Sequence, residues 1–155
     1  MTRSALIANR LREVLLDGHW IANTNYKEQI LQVDWLQATQ KIGELNTIAV
    51  LVYHLNYYLA GLLSAFETNT LAISDKYSFD SPEIKTDADW LNLTNEFLGN
   101  SEKFVSQVEN MDDITLDKPF IYKKYGSYIR NIEGVIEHSY YHLGQIVLLR
   151  KIIKQ

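Results

Sequence analysis

Apolar residues recur at helical spacing in four long stretches of the chain. In the first, Ile7, Leu11, Val14 and Leu15 lie three or four positions apart, the spacing of a helix with one buried face. They predict a helix over residues 4–16, stopped by Asp17-Gly18. In the second, Asn46 and Thr47, both good capping residues, open an almost wholly apolar run that reaches about Glu67. The third opens with Thr86 as its cap and Asp87 and Asp89 in the first turn, where carboxylates suit the helix dipole. Its stripe is Trp90, Leu93, Phe97, Phe104, Val105 and Val108. The fourth covers residues 128–153 and ends in Arg150, Lys151 and Lys154, where cations suit the same dipole.

The segments between these stretches are polar or broken. Residues 19–43 form a connector with two short helical pieces, YKEQILQV and DWLQATQ. The loop DKYSFDSPEIK follows the second stretch and DDITLDKPFIYKKYGS the third; a β alternative is weak, since only TLDKPFIYKKY within the latter could pair as a short hairpin. Four long amphipathic helices predict an all-α fold: a four-helix bundle forming one domain over residues 1–155. The connector between the first two helices is long enough for a crossover.

Composition narrows the function classes. Of the 155 residues, 46% are hydrophobic and 22% charged, ordinary values for a globular domain. There is no cysteine, which excludes disulfides, thiolate metal sites and a cysteine nucleophile. The formal net charge is -4. Basic residues are scattered apart from Lys123-Lys124 and the C-terminal group, which argues against a nucleic-acid partner. His54, Asn56 and Ser64 interrupt the most apolar stretch, so it makes a poor membrane span. Arg3, Arg10, Arg12 and Glu13 leave the N-terminus without an apolar signal region. These features give the expectation of a cytoplasmic protein without membrane association.

The candidate chemistry lies in HSYYHLGQI, residues 138–146. His138 and His142 stand four apart on a helix, on a face continued by Gln145, Ile146 and Leu149. Such a pair offers two imidazole nitrogens to one metal ion, and zinc and nickel both accept imidazole. His54, in LVYHLNYY on the second helix, is the third candidate, because facing helices of a bundle can bring it to the pair. Three neutral ligands with a fourth position open is the composition of a catalytic metal site. The alternative is three core histidines satisfied by hydrogen bonds, and residue types alone leave both readings open. His19, beside a buried-looking Trp20, reads as structural or exposed. Glu133 and Glu137 do not have the Glu-x-x-His spacing of a di-iron bundle, and Glu137 reads as a rim carboxylate. Tyr57, one turn after His54, is expected to line the same cavity. Gln145 is expected to orient a ligand histidine or a bound water, and Gly144 to permit close backbone approach.

A histidine in an apolar second helix, followed by His138, His142, Gly144, Gln145 and Ile146 in the last helix, resembles the DinB-like family of metal-binding four-helix bundles. The segment LLDGHWI, residues 15–21, resembles the family's turn after its first helix. The resemblance spans most of the chain. It implies a divalent ion, zinc or nickel in many members, held by His54, His138 and His142, and a homodimer formed through helix packing. It further implies a small-molecule substrate. Some members are transferases or isomerases that use low-molecular-weight thiols, and many have no known activity. The chain departs from the pattern at Tyr141, where members often carry another histidine; a phenol there is available as a proton donor in its place.

Overall fold

The computed structural model describes residues 1–154 and is all-helical. Seven α-helices are seen among the described residues: α1 Arg3–Arg12, α2 Tyr26–Leu31, α3 Trp35–Thr39, α4 Ile48–Thr68, α5 Asp87–Glu109, α6 Asp113–Leu116 and α7 Tyr128–Ile153. The four long stretches correspond to α1, α4, α5 and α7. Thr47, Thr86 and Ser127 cap the last three through their side-chain oxygens, as their residue types require. At Thr86 the cap is reciprocal, with Asp89 reaching back to the Thr86 N–H.

One helix detail departs from expectation. The first helix does not run as one α-helix to Leu16 but widens into a π-turn over Glu13–Asp17, closed by Gly18 N–H donating to the Glu13 carbonyl. Three successive residues, Val14, Leu15 and Leu16, are buried there, more than one narrow face of an α-helix presents. The weak β alternative comes to no more than one isolated bridge between Pro119 and Ser127.

Helix α4 packs on α5 and α7, and α1 packs on the same two helices. A single apolar cluster joins all four, with Leu11, Leu51, Phe97, Phe104 and Ile132 fully buried. By length and composition α4 is apolar enough to cross a membrane, but most of it is buried inside the fold. Its buried Asn56 is accounted for by α5: Asn56 donates to Glu96 at 3.0 Å and accepts from Asn100 at 2.8 Å. A buried amide needs such partners.

The connector is fastened to the core at three points. Tyr26 Oη donates to the Ser139 carbonyl (2.6 Å), Trp90 Nε1 to the Val33 carbonyl (2.8 Å), and the buried Arg150 guanidinium to Gln29 and Gln32 (2.6 and 2.9 Å). Each bond joins residues far apart in sequence, so the connector is a packed layer of the fold. Trp20 is the exception to the sequence reading: it is 87% exposed, not buried.

Candidate metal centre

The contact between α4 and α7 brings His54 together with His138 and His142. His54 sits among the buried leucines of α4 and is itself buried; His142 is buried on the inner face of α7, and His138, one turn earlier, is half-buried. The Nε2 atom of His138 lies 3.1 Å from Nε2 of His54 and 2.8 Å from Nε2 of His142. All three side chains therefore aim the same ring atom at one point.

The outer nitrogens decide the protonation of the inner ones. Nδ1 of His54 faces the Ser78 carbonyl at 3.1 Å, and Nδ1 of His142 faces Oε1 of Gln145 at 2.7 Å. Both oxygens can only accept, so both Nδ1 atoms carry the proton. The Nε2 lone pairs of His54 and His142 then face His138, whose Nε2 can donate one hydrogen at most. Two acceptors converge on one donor, and a cation at the centre satisfies all three. In a tetrahedral site with Zn–N bonds of about 2.0–2.1 Å, ligand nitrogens stand about 3.3 Å apart. The observed separations need only a small outward shift to reach that spacing.

Burial keeps the rings neutral. It drives His138 down to about 4, with the neighbouring His142 and His54 adding to the effect. Burial also lowers His54 and His142, opposed by the Ser78 carbonyl at the first and by Gln145 at the second. Neutral imidazole is the form that binds metal.

Gln145 accepts from Nδ1 of His142 and so holds the orientation of that ring. Gln145→Leu is expected to weaken metal binding by about 10–100-fold, as loss of such a supporting hydrogen bond does, while the circular dichroism stays unchanged. Measuring affinity by competition with a chromophoric chelator checks this.

Tyr57 does not line the cavity as expected. The Tyr57 hydroxyl is bound in both directions to the Ser74 backbone, at 2.9 Å each way, and the side chain is absent from the cavity lining at His138. The phenol beside the histidines is Tyr58, whose ring lies edge-on to His54 (5.2 Å) and to His138 (5.5 Å). Tyr58 is four residues after His54, the same spacing that pairs His138 with His142, and that spacing was the available signal. Phe79 stacks on the His54 ring at 3.9 Å; no pattern in the sequence points to it, because it arrives by the loop after α4.

The remaining candidates are placed as follows. Tyr141 packs its ring against His142 at 4.9 Å but is mostly exposed. Gly144 meets nothing where a Cβ would stand, so the expected close backbone approach is not made within the chain. Glu137 pairs with Arg130 and Glu133 with Arg10, both near the surface. His19 is largely exposed, 3.6 Å from Glu28.

A cavity of about 470 Å³ opens beside His138, between α4, residues 71–75 and the first half of α7, with Phe120 and Tyr125 closing one side. A larger open groove, about 1050 Å³, lies between the C-terminal halves of α4 and α5 and touches none of the three histidines. The smaller cavity is the one connected to the nitrogen cluster. No model of a known family, no curated protein and no solved structure matches the chain, so the arrangement of its own residues carries the functional reading.

Proposed function

We propose that this chain is a divalent-metal-binding, DinB-like four-helix bundle in which His54, His138 and His142 hold zinc or nickel. We further propose that it acts as a metal-dependent enzyme on a small molecule in the cytoplasm. The observation that carries the reading is the convergence of three Nε2 atoms, two of them already fixed as lone-pair donors by Ser78 and Gln145. The group comprises three histidines, and three neutral ligands suit an ion that keeps a position for water or substrate. When bound, the ion supplies Lewis acidity, making water or a low-molecular-weight thiol acidic enough to attack a small electrophile near neutral pH.

The protein's own contributions are distinct from the ion's. Ser78 and Gln145 fix the ring orientations, Phe79 covers one face of His54, and Tyr58 sets a phenol between the histidines and the cavity. With no cysteine in the chain, any thiol has to be a soluble one. The acidic balance speaks against a nucleic-acid partner.

A second reading is a non-catalytic metal-binding bundle that dimerises. It is favoured by Tyr141, Leu148 and Ile152, all exposed and spaced along α7 as one stripe, which also supports a homodimer in the first reading.

Elemental analysis after incubation with zinc or nickel and removal of the excess tests the site. One ion per chain is expected, falling below about a tenth in the His54→Ala/His138→Ala/His142→Ala variant. No ion in the wild type sinks both readings. Cobalt-loaded protein then separates them: a thiolate charge-transfer band on adding a small thiol supports the enzyme, and a spectrum indifferent to thiols and to pH supports the non-catalytic bundle.

A further inference from the structure

The cavity beside His138 has an unusual balance of polar groups. Its one charged lining residue is Asp75, at the start of a short turn over Asp75–Tyr77. Asp75 Oδ1 accepts the Tyr58 hydroxyl proton at 2.8 Å. Among the described residues no lysine or arginine pairs with this carboxylate. The cations nearest in sequence to Asp75, and those beside the lining residues Tyr125 and Asn131, are otherwise engaged: Lys76 lies over the Tyr77 ring, Lys85 is paired with Glu83, Lys124 lies over the Tyr125 ring, and Arg130 is paired with Glu137.

Two further polar lining groups, Asn131 and Tyr58, present acceptor oxygen, beside the Ser74 and Tyr125 hydroxyls and the His138 ring. Asn131 spends its amide N–H groups on the carbonyls of Tyr125 and Ser127, which leaves its Oδ1 as the free end. The Tyr58 hydroxyl, already donating its hydrogen bond to Asp75, has only lone pairs left for a ligand. The rest of the lining is largely apolar and includes Leu62, Phe120 and Val135. Such a lining complements a molecule that brings hydrogen-bond donors and positive charge at one end and an apolar body at the other. It offers no positive charge to a carboxylate or a phosphate.

We propose that this cavity binds a small amine, its ammonium group held by Asp75 with Asn131 and Tyr58 as further acceptors, and its apolar body lying toward His138. The site selects by charge: amines enter, neutral isosteres bind more weakly, and anions are rejected. A thiol carried on a polycarboxylate finds no cation in this lining. The inference rests on the cavity and stands independently of the metal.

Three size-matched probes test it on the metal-free full chain: benzylamine, benzyl alcohol and benzoate, titrated by calorimetry and by amide chemical shifts. Benzylamine is expected to bind at least tenfold more tightly than benzyl alcohol, and benzoate most weakly. In Asp75→Asn, which keeps an acceptor for Tyr58 but removes the charge, the preference for benzylamine over the alcohol is expected to vanish. Gly134→Val, which pushes a side chain into the cavity, is expected to weaken all the probes that bind. Benzoate equal to benzylamine, an unchanged preference in Asp75→Asn, or no binding by any probe overturns the proposal. Repeating the titration on zinc-loaded protein shows whether amine binding persists with the ion in place. Failure to load zinc counts against the metal reading alone.

Discussion

His138→Ala is expected to abolish stoichiometric metal binding, weakening affinity at least a thousandfold, about 4 kcal/mol, without unfolding the helices. His138 is the ring whose Nε2 lies within 3.1 Å of both other Nε2 atoms, so its loss leaves two imidazoles with no third nitrogen between them. It is also the least buried of the three, so truncation opens toward the cavity and not into a sealed core. The same variant has a second expected effect, on the metal-free protein. The folded chain resists protonating His138 until about pH 4, whereas the unfolded chain takes up that proton near pH 6.5. Between those values the unfolded state binds more protons, and stability falls as the pH drops. Lowered values at His54 and His142 act in the same direction. Metal-free wild type is therefore expected to lose stability from about pH 6.5 downward, and His138→Ala to lose less over the same interval. Urea denaturation at a series of pH values measures this, and a steeper loss in the variant would contradict the assignment of a neutral, half-buried imidazole.

Gly61→Ala is expected to disturb the metal centre from a distance. A Cβ added at Gly61 would stand 2.2 Å from Cγ2 of Ile73, well inside van der Waals contact, so helix and loop cannot both stay where they are. The loop concerned leaves α4 at Asn69, in the left-handed conformation that asparagine tolerates, and crosses back over the helix. It delivers Ser74 to Tyr57, Asp75 to Tyr58, the Ser78 carbonyl to His54 and Phe79 to the face of the same ring. Overpacking of this kind costs about 1–3 kcal/mol. Lifting the loop also frees the His54 ring, so weaker metal binding is expected alongside the lower stability. Gly61→Ala/Ile73→Ala, which removes the clashing methyl, is expected to restore most of both. Thermal melts and chelator competition on the two variants check it; a single variant with unchanged affinity would mean that the loop does not govern His54.

The sequence by itself determined the helices and their caps. The apolar stripes in α1, α4, α5 and α7 are written at helical spacing, and Thr47, Thr86 and Ser127 mark starts by local hydrogen bonding that needs no distant partner. His138, His142 and Gln145 were legible together because all three lie within two turns of one helix. His54 was legible as a polar residue in an apolar face, which has to find a partner once buried. Tertiary structure decided the rest. Trp20 was read as buried from its neighbours, yet its turn projects from the surface. The choice of Tyr58 over Tyr57, the carbonyl that fixes the His54 tautomer, the ring that stacks on it and the carboxylate at the cavity mouth all depend on the loop after α4. That path is set by one missing Cβ at Gly61 and by contacts across 17 to 24 residues. Periodicity reports which face of an element is buried, because burial repeats along the element. It carries no record of what a non-repeating loop lays against that face, and in this protein the surroundings of the site are laid down by such a loop.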